Sequence, residues 1–161
     1  MPRTPPSLER TALVALALLL LGVAIVSPHG SPSKGPYAAD PVRTPGVLNP
    51  DVRQANIHTT VCVEGWTRTI RPPTSYTNEL KRKQMREYGV GGSLSDYQED
   101  HLISLSLGGH PTDPRNLWPE PNPRATEVDA IEYDLHEKVC SGELSLAEAQ
   151  QKESELKHTD G

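Results

Sequence analysis

One uninterrupted apolar run, TALVALALLLLGVAIV at Thr11–Val26, takes 14 of the chain's roughly 56 apolar side chains and leaves about 42 for everything after it. The remaining 135 residues must fold around a thin core. The whole chain of 161 residues has no Phe, two Trp, 16 Pro and 12 Gly, which suits one small loop-rich domain with appendages and excludes a multidomain machine. Arg3 and Arg10 precede the run, giving the charged start and apolar centre of an export signal. Its 16 positions fall short of the roughly 18–20 that cross a bilayer comfortably, yet no small-x-small cleavage site stands out. Residues 1–26 are therefore expected to be either a removed signal peptide or an uncleaved transmembrane anchor, the only contact with a membrane. Both place the domain outside the cytoplasm, secreted or tethered.

Export decides how Cys62 and Cys140 are read, because an oxidising compartment favours a disulfide over free thiols or metal ligands. One bridge, Cys62–Cys140, is expected. Residues 27–45, SPHGSPSKGPYAADPVRTP, lack apolar periodicity and read as a flexible spacer, with the folded domain over 46–161. Ile57, Thr59, Val61 and Val63 alternate with more polar residues, the period of a half-buried strand. Between Ser75 and Tyr88 a helix is expected, capped by Ser75 or Thr77, facing inward with Tyr76, Leu80 and Tyr88 and leaving at Gly89. Leu102–Leu107 alternates like a short strand, and Asn116-Leu117-Trp118 resumes extended chain. Val128, Ile131, Leu135 and Val139 mark an amphipathic helix over Arg124–Cys140 that ends at Gly142. A last helix opens with the capping box Ser145–Glu148 and fades into a polar tail. The fold class is small α+β.

Chemistry concentrates in YQEDHLISLSLGGHPTDPRNLWPEP, residues 97–121. Asp100-His101, Gly108-Gly109 and Asn116-Leu117, in that order before an amphipathic helix, resemble the core of HNH endonucleases, the ββα-metal or His-Me finger group. The likeness covers about 45 residues, roughly 97–142. Thr60-Val61-Cys62, Gly65-Trp66-Thr67-Arg68 and Val139-Cys140-Ser141-Gly142 extend it to exported bacterial proteins bearing such a core. The resemblance implies that His101 is a general base taking a proton from attacking water, a task that suits an imidazole with a pKa near 6.5. It implies that Asp100 binds a divalent cation that stabilises charge at the scissile phosphate. It also implies that Asn116 steadies the His101 ring.

This sequence departs from the pattern at the start of the final helix, where no further His occurs. Asp129, Glu132 and His136 fall on one flank of the apolar stripe and are the substitute ligands available. The carboxylates favour Mg²⁺ or Mn²⁺, while His136 would admit Zn²⁺ or Ni²⁺.

Sixteen basic against 21 acidic residues give a charge of −5, but Arg68, Arg71, Lys81, Arg82, Lys83 and Arg86 face only Glu79 over residues 68–86. That stretch, with Arg115, is the expected nucleic-acid surface, for DNA before RNA and without base-reading elements. From Glu127 onward ten acidic residues outnumber three basic ones, so phosphate should not dock there. The expected function is an exported, metal-dependent endonuclease of low sequence specificity. The rival is a catalytically silent HNH-like module that binds a surface or envelope partner.

Overall fold

A computed structural model describes residues 1–2 and 38–160; the expected leader and most of the expected spacer lie outside the described residues. Among the described residues no helix is long and apolar enough to cross a membrane. The regular elements are α1 (Trp66–Ile70), α2 (Thr74–Tyr88), β1 (Tyr97–His101), β2 (Leu117–Pro121), α3 (Asn122–Ser141) and α4 (Leu146–Thr159). Short 3-10 turns occupy Gln54–Thr59, Leu94–Asp96, Leu105–Leu107 and Pro114–Asn116. The strands form one antiparallel pair, with Asp100 opposite Trp118 and His101 opposite Leu117, so the class is α+β with a very small sheet.

Ordered contacts begin at Ala39 rather than at Gly46. Ala39 is fully buried and its N–H donates to the Lys157 carbonyl at 2.8 Å, while the Thr44 and Tyr88 hydroxyls lie 2.6 Å apart. The Pro-rich composition concealed a turn in which Asp40 Oδ1 accepts the N–H groups of Val42 and Arg43.

The strand expected over Ile57–Val63 is absent. That segment runs as a 3-10 turn and further turns, and only Ile57 and Val61 are buried there, four residues apart, whereas Val63 is 44% exposed. β-branched residues mimicked a period of two where the burial period is closer to helical. Helix α2 starts one residue earlier than expected, after Pro73, whose fixed φ suits the entry and which supplies no side-chain cap; it leaves through Gly89 at φ +67°. Its buried side chains are Leu80, Lys81, Gln84 and Met85, with Tyr76 and Tyr88 half-buried at its two ends.

Helices α3 and α4 follow their patterns. Ala125, Val128, Leu135 and Val139 are buried, although Ile131 is 39% exposed, and Ser145 and Glu148 cap α4 reciprocally. The principal core gathers Val52, Ile57, Val61, Ile103, Leu107, Leu135, Val139 and Leu146.

At the edge of this core Cys62 and Cys140 form the expected disulfide, which joins residues 78 apart in sequence. A bridge over so long a loop restricts the unfolded chain. The Cys62→Ser/Cys140→Ser pair should lower unfolding free energy by about 2–5 kcal/mol in urea titration; an unchanged midpoint would show that the bridge does not stabilise the domain. A disulfide is compatible with an extracellular location.

Candidate functional site

Strand β1 stops at His101, and the strand expected over Leu102–Leu107 does not form. Leu102, Ile103, Leu105 and Leu107 are all buried, at positions of both parities, which a strand with one buried face cannot accommodate. The chain instead coils through a 3-10 turn that Gly108 ends at φ +78°. Gly109 is required by close approach, because a Cβ there would overlap the Ile103 carbonyl. The two glycines let the loop fold back on β1.

Asn116, fully buried, holds that loop. Its Oδ1 accepts the Ile103 N–H at 3.0 Å, and its Nδ2 donates to the Ile103 and His110 carbonyls at 3.0 and 3.1 Å. All of these partners are backbone, so the direct contact with the His101 ring expected for Asn116 is not made. The task falls to the next residue of the clamped loop. Pro111 O lies 3.1 Å from His101 Nε2, and since a carbonyl can only accept, Nε2 carries the proton and Nδ1 is the acceptor. His101 is 5% exposed, and burial holds its pKa below 6.5 despite the Pro111 bond and the Asp100 charge, with Arg71 and Lys157 acting in the same direction as burial. The ring is neutral at pH 7.

Alternation along β1 sends Asp100 to the other side of the ribbon, toward α3 and α4. There the fully buried Lys157 ammonium donates to Asp100 Oδ2 at 2.7 Å, to Glu132 Oε1 at 2.5 Å and to the His101 carbonyl at 2.6 Å, with Glu153 Oε1 3.6 Å away. Glu153 in turn accepts the Ser104 N–H. Burial would raise the Asp100 pKa, but the Lys157 charge outweighs it and takes the group down to about 2. Glu120, on the same face of β2, is raised to about 9 by burial and by the Asp100 charge, and Glu99, on the opposite face, to about 8 by burial. Among the described residues the buried carboxyl oxygens of both Glu99 and Glu120 have no hydrogen-bond partner, and Glu120 lies close enough to Asp100 for each to shift the other.

These shifts have opposite signs and set separate pH windows. Glu99 and Glu120 keep protons that the unfolded chain releases near 4.5, so their contribution is full below that value and lost as pH rises through about 8 and about 9. Asp100 contributes above its ordinary 3.8 and loses that contribution as pH falls through about 2. The urea midpoint should therefore decline between about pH 5 and 9, and Glu120→Gln should flatten the decline; an equal slope in the variant would remove Glu120 from this role.

Of the expected metal ligands, Asp100 and Glu132 meet at Lys157, and Asp129, exposed one turn earlier on α3, senses the Asp100 charge. Their oxygens suit a hard divalent cation by chemistry. His136 is not among them. It lies further along α3, where its Nε2 is 3.0 Å from Val61 O and 3.4 Å from Cys140 Sγ, so an imidazole that would favour Zn²⁺ or Ni²⁺ is missing from the Asp100 site. Ligand atoms of Cys62, His136 and Cys140 lie within 4.8 Å of one another, a separate group that could hold a metal ion, although the two sulfurs are bonded to each other here.

The basic residues divide. Arg71 is exposed and close enough to His101 and Asp129 to act on both groups. Arg68, Arg82, Lys83 and Arg86 are also exposed. Lys81 is buried and donates to the Tyr97 carbonyl at 2.6 Å, so it offers nothing to a phosphate, and Arg115, though exposed, is paired with Asp113 at 2.7 Å. Trp118 is buried in a small cluster with Ala39 and Leu102, as a core residue.

Sequence reasoning missed Lys157, Glu153 and Glu120. The i,i+4 spacing of Glu153 and Lys157 was a signal, but it reads equally well as a solvated helix face. No family model, no curated protein and no solved structure matches this chain.

Proposed function

We propose that the domain is an HNH-type, divalent-cation-dependent endonuclease that hydrolyses phosphodiester bonds, in DNA before RNA, with little sequence preference. The observation that supports this most is the tautomer of His101. The Pro111 carbonyl fixes the proton on Nε2, burial keeps the ring neutral, and Nδ1 is left to take a proton from water. Arg71 is exposed and close enough to act on the His101 ring, so it is available to a phosphate bound there, and the exposed Arg68, Arg82, Lys83 and Arg86 would supply backbone contacts without reading bases. A divalent cation held by Asp100 with Glu132 or Asp129 would stabilise charge on the leaving oxygen. With a net charge of −5, affinity should be weak and fall with salt.

The purified chain incubated with supercoiled DNA and Mg²⁺ or Mn²⁺ should convert it to open circles, and chelator should stop the conversion. Intact supercoils under every metal would reject the nuclease reading.

One observation favours a second reading, a catalytically silent surface-binding module. The Lys157 ammonium stands where Asp100 Oδ2 and Glu132 Oε1 converge, already neutralising the carboxylates a metal would need. If nicking fails while the domain remains folded, this reading takes precedence, and the acidic helices α3 and α4 become the surface for a basic partner.

A further inference from the structure

We propose that, when its disulfide is reduced, the chain binds a thiophilic divalent cation of the Zn²⁺ class on Cys62, His136 and Cys140, so that disulfide and metal are alternative closures of one junction. Four observations support it. The three ligand atoms already lie within 4.8 Å of one another. His136 and Cys140 are one helical turn apart on α3, a spacing that presents both to one point. All three residues are partly buried, and Cys62 and His136 line a cavity of about 410 Å³ together with Glu64, Tyr133 and Glu137, leaving room for a fourth ligand or water. Finally, Glu137 Oε1 lies 3.6 Å from His136 Nδ1, the ring nitrogen that faces away from the sulfurs.

That carboxylate settles the tautomer the site requires. In the oxidised domain the Nε2 proton goes to Val61 O. For Nε2 to become a ligand, the proton must move to Nδ1, where Glu137, now 3.6 Å away, would have to draw closer to accept it; a carboxylate on the second nitrogen is the usual support of a zinc-bound histidine. Thiolate and imidazole donors select Zn²⁺ over Mg²⁺ or Ca²⁺, so this centre would not compete with the carboxylates around Asp100 for a hard cation.

The chemistry balances with a thiol or phosphine reductant. Two electrons from the reductant and two protons convert the disulfide to two thiols, and the cation then displaces both thiol protons. A disulfide-class oxidant, itself reduced to two thiols, takes the two electrons back, so that the sulfur–sulfur bond re-forms and the cation is expelled. In a reducing compartment the metal would tie Val61–Val63 to the end of α3, and after export the covalent bond would replace it.

The full chain, reduced with a water-soluble phosphine and desalted without oxygen, is titrated with Co²⁺ and then Zn²⁺. One equivalent of Co²⁺ should produce the near-ultraviolet thiolate charge-transfer absorption and the visible bands of a tetrahedral site, and Zn²⁺ should abolish them. Oxidised protein should show neither. His136→Ala and Glu137→Gln should each weaken binding by about 10-fold or more, as loss of a ligand or its support does. Should reduction unfold the domain, Zn²⁺ should restore its far-ultraviolet circular dichroism. Absence of charge-transfer bands in the reduced chain, or bands equally strong in His136→Ala, would overturn the proposal. DNA cleavage is not read, so the outcome is independent of the nuclease proposal.

Discussion

Replacing Lys157 with methionine is expected to destabilise the domain by about 3–5 kcal/mol, the usual consequence of removing one partner from a buried set of charges. Lys157 is fully buried and bonded to Asp100, Glu132 and the His101 carbonyl, with Glu153 nearby. Methionine replaces most of the volume, so the loss reports charge rather than a cavity. The carboxyls of Asp100, Glu132 and Glu153 then share an interior without a cation, and the Asp100 pKa should move upward because the charge that lowered it is gone. The double variant Lys157→Met/Glu153→Gln should recover part of the loss, since it removes one of the buried carboxyl groups left without the ammonium, and the coupling energy of the cycle should be well above about 0.5 kcal/mol. Additive single and double variants, or a loss below about 1 kcal/mol, would show that the ammonium does not hold this cluster together.

His101→Ala should lower the rate of DNA nicking by about 10²–10⁴-fold, the range for removal of a general base. Stability should change far less than in Lys157→Met. In the unsubstituted chain the acid limb of the rate profile reports protonation of the imidazole, and because burial lowers its pKa that limb should lie below pH 6.5. Asn116→Ala should also slow cutting. It frees the Ile103 and His110 backbone groups and so releases the loop that carries Pro111, which makes Asn116 a positioning residue.

The parts of this arrangement that can be read from sequence are those in which local chemistry and tertiary role coincide. The apolar stripe of α3, the Ser145–Glu148 cap and the glycine exits each depend on neighbours within a turn, and each appears in the structure. Cys62 and Cys140 can be paired because only two cysteines exist. Asp100, His101 and the Gly108-Gly109 pair are legible as a cluster, yet the reason for Gly109 is a carbonyl six residues back, and Asn116 braces backbone rather than the imidazole. Lys157 is hidden because its partners lie up to 57 residues away and a lysine in the last turn of a polar helix ordinarily faces water. Leu102–Leu107 and Ile57–Val63 mislead for a common reason. In both, apolar or β-branched residues recur at every second position, Ile103, Leu105 and Leu107 in one and Ile57, Thr59, Val61 and Val63 in the other, and only packing shows that their burial does not alternate.

Water activated at His101 should attack phosphorus, and cleavage of DNA by the purified chain in ¹⁸O-labelled water, with mass analysis of the fragment ends, tests this directly. One heavy oxygen in each newly formed terminal phosphate, accumulating about 10²–10⁴-fold more slowly with His101→Ala, is the predicted result. Ends free of label, or labelled ends formed as fast by the variant, would contradict it.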